Sequence, residues 1–234
     1  MTGAIFFDSG TIISLTIARL SWLLPHLHKH FNGPFYITPA VYKELVERPL
    51  EIRRFEFEAL QVMKLVREGT LQVYTKVPVR EVKELTRLVN TSVMLNGKNL
   101  DLMQEGEMQS LACVLENPGS VLAMDERTLR YLIEDGEQLT NLLRERFQKE
   151  VVPNKAQLQQ CATIFKGVNI IRSTEILAVA FSLGLLKEYV PPQKDGSTVL
   201  LDAVLWAVKY GGCAITALEI EQLKKDVLAR NVGK

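Results

Sequence analysis

The sequence contains short apolar runs that alternate with longer stretches of helical periodicity and stop abruptly at polar residues. These runs are Ala4-Ile-Phe-Phe7, Phe35-Tyr-Ile-Thr38, Leu71-Gln-Val-Tyr74, Ser120-Val-Leu-Ala-Met124 and Gly167-Val-Asn-Ile-Ile171. Such runs are typical of buried strands, and strands that alternate with helices are joined by right-handed crossovers. The pattern therefore predicts an α/β protein, a three-layer α/β/α sandwich whose central sheet is mostly parallel.

Two of the apolar runs end in an aspartate. Asp8 follows the first run and Asp125 follows the fourth, while the fifth is followed by the polar pair Ser173-Thr174. Open parallel sheets bind ligands beyond the carboxyl ends of their strands. Two carboxylates that meet there repel each other unless a cation or a basic group lies between them. Each aspartate, taken alone, also suits the cap of the helix that follows it.

Further segments carry acidic residues in a recognisable order. They are Ile5-Phe-Phe-Asp8-Ser9, Ile37-Thr-Pro-Ala-Val-Tyr-Lys-Glu44-Leu45, Gly106-Glu107-Met-Gln-Ser-Leu-Ala112 and Val121-Leu-Ala-Met-Asp125-Glu126. Together they resemble the PIN-domain family, in particular its larger prokaryotic type. The stretch from Ile171 to Leu186 and the tail from Leu200 are similar to the family's later elements, so the resemblance spans nearly the whole chain.

The resemblance implies one PIN-like domain over residues 1–234. Helical elaborations are expected at about 51–100 and 131–165, and a C-terminal helical extension from about 198. These additions separate the chain from the short toxin-like members, and they are candidates to select a substrate or to contact a protein partner. Met124 stands where the family commonly has a small polar residue.

In such proteins four acidic residues hold one or two divalent cations, Mg²⁺ or Mn²⁺. Carried over by position, the metal-binding and catalytic residues are Asp8, Glu44, Glu107 and Asp125, with Ser9, Thr174 and Glu126 in supporting places. Glu107 lies near a predicted helix N-terminus, which favours a carboxylate by roughly 0.3–1 kcal/mol. Asp101 and Glu105 compete with it for the place of the third acid, and Thr174 also suits a helix cap.

The function that the resemblance implies is a metal-dependent ribonuclease, by default an endonuclease, that hydrolyses phosphodiester bonds of RNA. Asp8 and Asp125 are expected to be direct ligands, while Glu44 and Glu107 bind through water or orient the nucleophile. One metal would lower the pKa of a bound water, and a second, about 3.5–4 Å away, would stabilise the leaving oxygen. Dimers are frequent among similar proteins.

Two other functions compete with this prediction. The first is a non-catalytic PIN-like module that binds RNA or a protein, for which the loss of an acid would be the sequence sign. The second is a phosphatase of the haloacid dehalogenase type, suggested by Phe7-Asp-Ser-Gly-Thr11. That chemistry needs aspartates at the places of Phe7 and Ser9, so the nucleophile is missing and this reading is disfavoured.

Charge and composition set few further limits. The chain has 28 Lys and Arg against 27 Asp and Glu, a net charge of +1, which neither supports nor excludes a nucleic-acid partner. Cys113, Cys161 and Cys213 have apolar neighbours and are expected to be reduced core residues of a cytoplasmic protein. The longest apolar run, 176–186, is shorter than the roughly 20 residues that a membrane-spanning helix needs.

Two further clusters, one of histidines and one of basic residues, are not predicted to be functional sites. His26, His28 and His30 would share no face of a helix, so a metal site there is not expected. The basic residues Arg127, Arg130, Arg144, Arg146 and Lys149 would form a track near Asp125, but acids are interleaved with them, which favours an ordinary solvated helix face.

Overall fold

A computed structural model describes residues 3–231, and a five-stranded parallel sheet lies at its centre. The strands, in chain order, are β1 Ile5–Phe7, β2 Phe35–Ile37, β3 Gln72–Val73, β4 Val93–Leu95, β5 Lys98–Asn99, β6 Val121–Ala123, β7 Val151–Pro153 and β8 Asn169–Ile171. The central sheet has the order β3-β2-β1-β6-β8. Each of its strands coincides with one of the five apolar runs, so the predicted α/β class and central parallel sheet are confirmed.

Helices fill most of the remaining chain. They are α1 Ser9–Ile17, α2 Leu23–His30, α3 Pro39–Tyr42, α4 Arg48–Leu50, α5 Glu56–Arg67, α6 Val79–Asn90, α7 Glu105–Glu116, α8 Arg127–Glu134, α9 Gly136–Phe147, α10 Lys155–Ile164, α11 Ser173–Ser182, α12 Gly196–Gly211 and α13 Ala217–Asn231. A π-helical turn, Lys43–Glu47, joins α3 to α4. None of the described helices is long and apolar enough to cross a membrane.

The two faces of the central sheet are covered by separate hydrophobic cores. Phe7 belongs to the core that includes side chains of α1, α11 and α12, and Phe6 belongs to the core that includes side chains of α7, α8 and α9. Adjacent residues of a strand point to opposite faces, which explains this division. The arrangement agrees with the predicted three layers. Cys113, Cys161 and Cys213 are buried and free, as expected.

A second, three-stranded antiparallel sheet of order β5-β4-β7 lies within the predicted elaborations. The sequence predicts a loop at Leu95-Asn-Gly-Lys-Asn99 that contains a turn; the turn is confirmed, but residues on both sides of it form strands β4 and β5. Asn96 and Gly97 both have positive φ, 50° and 74°, as the two-residue turn of a hairpin requires. Besides the predicted strand at 71–74, the helical elaborations at about 51–100 and 131–165 therefore contain the three short strands of this second sheet.

Two helical predictions need correction. After the first apolar run the sequence predicts a single helix from about Ile12 to Leu24; the structure has α1 and α2 in its place, and the chain turns between them where Arg19 has a φ of 59°. In α5 the buried side chains include Val62 and Leu65, whereas Phe55 and Leu60 are exposed. The sequence predicts an apolar stripe of Phe55, Leu60, Met63 and Val66 in this segment, and it is half right, since Met63 and Val66 are partly buried against the core.

Candidate metal centre

Two strand ends bring Asp8 and Asp125 together. β1 and β6 are adjacent in the sheet, with Phe7 paired to Ala123, and the backbone N–H of Asp8 donates to the Ala123 carbonyl at 2.9 Å. A Cβ placed on Gly10 would lie 3.3 Å from Oδ2 of Asp8 and 3.8 Å from Cβ of Asp125. The side chains of both acids therefore lie beside Gly10, where the lack of a side chain leaves space.

Both aspartates are buried, each at 3% exposure, and each has one satisfied oxygen. Oδ2 of Asp8 accepts from the N–H of Gly10 at 3.1 Å, and Oδ1 of Asp125 accepts from the N–H of Ser173 at 2.7 Å. By distance and angle, Oδ1 of Asp8 and Oδ2 of Asp125 receive no hydrogen bond from the described residues, although the buried thiol of Cys213 lies beside Asp125 and interacts with its side chain. Buried carboxylate oxygens normally have partners, so this pair is suited to a cation.

The π-helical turn places Glu44 near the N-terminus of α7. A Cβ on Gly106 would lie 3.0 Å from both carboxylate oxygens of Glu44. The N–H of Ala40 in α3 donates to Oε1 of Gln109 at 3.2 Å and so ties the two helices together. Turns of this kind occur frequently at functional sites, because the extra residue changes the direction of the side chains. The half-buried Glu44 thereby approaches the residue next to Glu107.

Glu107 is the only one of the three candidate third acids that is buried. Its Oε2 accepts from the N–H of Gln104 at 2.9 Å in a capping box at the start of α7. Asp101 and Glu105 are exposed, and their carboxylates accept hydrogen bonds from Asn90 and Gln109. This placement favours Glu107 as the acid of the site.

The four acids influence one another electrostatically. Burial, followed by the charge of Asp8, raises the pKa of Glu107 to about 8, and Glu44 contributes to the same increase. Burial raises the pKa of Asp8 to about 7, with smaller contributions from Glu44 and Asp125. Asp8 therefore interacts with each of Glu44, Glu107 and Asp125, so the acids lie in one neighbourhood around Asp8 although they are far apart in the sequence.

The predicted supporting residues occupy different roles. The backbone N–H of Ser9 lowers the pKa of Asp8, against the larger effect of burial. Glu126 caps α8 by accepting from the N–H of Leu129 at 2.8 Å, and its charge contributes to the raised pKa of Glu107. The buried hydroxyl of Thr174 donates to Glu175 at 3.2 Å. The contact expected there is made by Ser173, whose backbone N–H holds Asp125.

Ser173 was missed as a site residue, although the sequence offered a signal. It follows strand β8, next to β6 in the sheet, and is the first residue of α11. Helix N-termini carry free N–H groups that bind carboxylates. The run Ile171-Arg-Ser-Thr174 favours the side chain of Thr174 as the supporting group, whereas in the structure the contact to Asp125 is made by the backbone N–H of Ser173.

The donor set is chemically suited to a hard cation. Mg²⁺ prefers oxygen ligands and keeps several of its waters, so it is commonly held by one or two carboxylates directly. Within residues 3–231, no group of three or more His, Cys, Asp and Glu side chains is arranged so that it could hold a metal ion. The unpartnered oxygens of Asp8 and Asp125 therefore fit a cation that is bound partly through water, with Glu44 and Glu107 farther out.

Comparison of the sequence with protein-family models gave no match, and comparisons with curated proteins and with solved structures gave none either. The resemblance to the PIN-domain family therefore stays a prediction that rests on the residues quoted for it.

Proposed function

We propose that this chain is a metal-dependent ribonuclease that hydrolyses phosphodiester bonds within RNA. The observation that carries the proposal is the pair of buried aspartates on neighbouring strand ends, each with one carboxylate oxygen that receives no hydrogen bond from the described residues. The order of the acidic segments along the chain supplies the second line of support, through the resemblance to the PIN-domain family.

The two aspartates are the proposed direct ligands. Oδ1 of Asp8 and Oδ2 of Asp125 are the atoms that would hold Mg²⁺ or Mn²⁺, because the other oxygen of each carboxylate already accepts a backbone N–H. A bound cation would lower the pKa of a water and neutralise charge on the phosphate. Glu44 and Glu107 would hold water ligands or orient the attacking water.

Glu107 is the proposed proton acceptor. Its Oε2 accepts from the N–H of Gln104, which leaves Oε1 to take up a proton. Burial, with the charge of Asp8, raises the pKa of Glu107 to about 8, and a base is most effective when its pKa lies near the working pH. The cation would lower that pKa toward neutrality, because an opposite charge favours the ionised carboxylate.

One observation favours a second candidate, a non-catalytic module that binds RNA or a protein. Within residues 3–231, no three acids converge in the way that a metal held entirely by side chains would need. Such a module would use the same face without hydrolysis. Metal-dependent cleavage distinguishes the two functions.

The test combines the purified chain, Mn²⁺ and an end-labelled pool of mixed-sequence single-stranded RNA. We expect cleavage that EDTA abolishes, and a rate reduced by more than about 100-fold in Asp8→Asn and in Asp125→Asn. Glu68→Gln is the control, since Glu68 is an exposed acid paired with Lys64. RNA binding without cleavage would favour the module, and equal cleavage by all variants would reveal a contaminating nuclease.

The cytoplasm is the proposed location, because a reducing compartment suits three free cysteines. Homodimerisation and a protein partner for the added segments stay predictions.

A further inference from the structure

A cavity of about 310 Å³ adjoins the candidate metal centre. Glu107 lies on one side of it, Glu126 and Thr128 line it from the start of α8, and Arg146 and Phe147 line it from the end of α9. Glu107 is also coupled electrostatically to Asp8. A larger cavity of about 560 Å³ between α6 and α7 contains none of the four candidate acids. The smaller cavity is therefore the one that a substrate at the acids would enter.

The end of α9 contributes a stacking surface to this cavity. The guanidinium carbon of Arg146 lies 5.7 Å from the centroid of the Phe147 ring, and Arg146 is exposed and forms no ion pair within residues 3–231. Leu143 and Met103 extend the apolar lining. Aromatic rings and guanidinium planes stack unpaired bases with little dependence on their sequence. The surface is therefore suited to a nucleobase.

The charges of the cavity indicate how a nucleotide would lie in it. Asp101, Glu107 and Glu126 line it, against the single guanidinium of Arg146. A phosphate among these acids is repelled unless a divalent cation neutralises them, whereas a base is uncharged. The base therefore suits Phe147 and Arg146, and the phosphate, in the presence of a divalent cation, suits Glu107, the one of the four acids that lines the cavity.

We propose that this cavity binds the base of one unpaired RNA nucleotide, stacked against Phe147 and Arg146, with its phosphate directed to the four acids. The inference rests on the proposed ribonuclease function and names the substrate group that the site holds. The volume lies at the lower end of small-ligand sites, about 300–1,000 Å³, which fits one nucleotide. Residues 136–147 of α9 belong to the elaboration at about 131–165, so that addition would select single-stranded substrate.

The test measures the binding of the four nucleoside 5′-monophosphates, which contain no internal phosphodiester bond to cleave, by NMR titration in Mg²⁺. We expect Arg146→Gln and Phe147→Leu each to weaken binding by about 10-fold. Arg144→Gln is the matched control, because Arg144 is an exposed arginine of the same helix that does not line the cavity. It should keep the wild-type affinity.

Unchanged affinity in Arg146→Gln overturns the proposal, and so does an equal loss in Arg144→Gln, which would indicate unspecific charge attraction. Arg146 is exposed and decides the test should Phe147→Leu fail to fold. The rise in melting temperature that Mg²⁺ causes is measured on the same proteins. Its absence from the wild-type protein would count against the metal centre itself, whatever the nucleotides do.

Discussion

The backbone N–H of Ser173 donates a 2.7 Å hydrogen bond to Oδ1 of Asp125. The preceding residue, Arg172, is the N-cap of α11. It is paired at 2.6 Å with Glu175 of α11 and at 2.6 Å with Glu219 of α13. The N–H of Ala214 donates to the backbone carbonyl of Asp125 at 3.1 Å. Asp125 is therefore held by two segments of the C-terminal part of the chain, and one of them is anchored by an ion pair.

Glu219→Gln should weaken metal binding, although Glu219 is not one of the proposed metal ligands. Although burial alone would raise it, hydrogen bonds from Thr216 and Arg172 lower the pKa of Glu219 to about 2. Loss of this charge removes one of the two ion pairs of Arg172 and loosens the start of α11, so we expect about 10-fold weaker Mn²⁺ binding and a loss of about 1–2 kcal/mol of unfolding free energy. Titration calorimetry and urea unfolding measure the two effects.

Asp202→Asn is the control for that variant. Asp202 pairs with Lys224 at 2.7 Å and joins α12 to α13 away from the acids. It should lower stability by a similar or smaller amount and leave Mn²⁺ affinity unchanged. Equal losses of affinity in both variants would show that general destabilisation, not the position of Ser173, weakens the site.

Substitution of Asp101, Glu105 and Glu107, one at a time, should show which of them is the third acid of the site. Glu107→Gln should reduce RNA cleavage by more than about 100-fold, because Glu107 is buried and coupled to Asp8. Glu105→Gln and Asp101→Asn should change the rate less than about threefold, because both carboxylates are exposed and bonded elsewhere. A larger loss from Glu105→Gln than from Glu107→Gln would reassign the third acid.

Gly106→Ala should impair activity more than stability. The new Cβ would lie 3.0 Å from both oxygens of Glu44 and would displace that flexible carboxylate by a few tenths of an ångström. The rate of RNA cleavage should fall by about 10-fold, while the free energy of unfolding, measured by thermal denaturation, should change by less than about 1 kcal/mol.

Gly136→Ala provides the matched substitution at the start of another helix. Its Cβ would meet Leu158 only at 3.7 Å, an ordinary contact, so activity should be unchanged. Were Gly106→Ala as active as Gly136→Ala, the position of the Glu44 carboxylate would not matter for the reaction.

The metal-free protein should lose stability as the pH rises from about 4 to about 8. Burial raises the pKa of Asp8 from 3.8 to about 7 and that of Glu107 from 4.5 to about 8. In this range the folded chain keeps protons that the unfolded chain releases, so unfolding becomes easier with each pH step. At about 1.4 kcal/mol per pKa unit, each group contributes roughly 4–5 kcal/mol.

Asp8→Asn removes one of these titrations, so its stability should fall less over the same range and should exceed that of the wild-type protein at pH 8. Thermal unfolding in EDTA at several pH values provides the comparison. Saturating Mn²⁺ should also diminish the fall in the wild-type protein, since it stabilises the ionised acids. Parallel pH curves for variant and wild type would argue against a buried, protonated Asp8.

The residues of the site that could be predicted are those that follow directly after a predicted strand. Asp8 and Asp125 stand directly after apolar runs, and the parallel sheet places both at one edge. Glu44 carried no such signal, because a lone glutamate in a helix is usually exposed. Its approach to Gly106 depends on a π-helical turn, which no local sequence pattern predicts.

The other misses have equally local causes. Asn96-Gly97 is a strong hairpin signal, but the flanking strands are only two and three residues long, so the segment was interpreted as a loop. The break between α1 and α2 occurs at Arg19, without Gly or Pro to mark it. In α5, Leu60 and Phe55 were assigned to the core by hydrophobicity, yet neighbouring packing buries Val62 and Leu65.

Calorimetric titration of Mn²⁺ into the wild-type protein, Asp8→Asn and Asp125→Asn tests the metal centre most directly. The wild-type protein should bind Mn²⁺ saturably, and each variant should lose more than about 10-fold in affinity, because both carboxylates are expected to hold the same ion. Saturable binding that either variant retains at wild-type affinity, or no binding by the wild-type protein at millimolar Mn²⁺, would contradict the account.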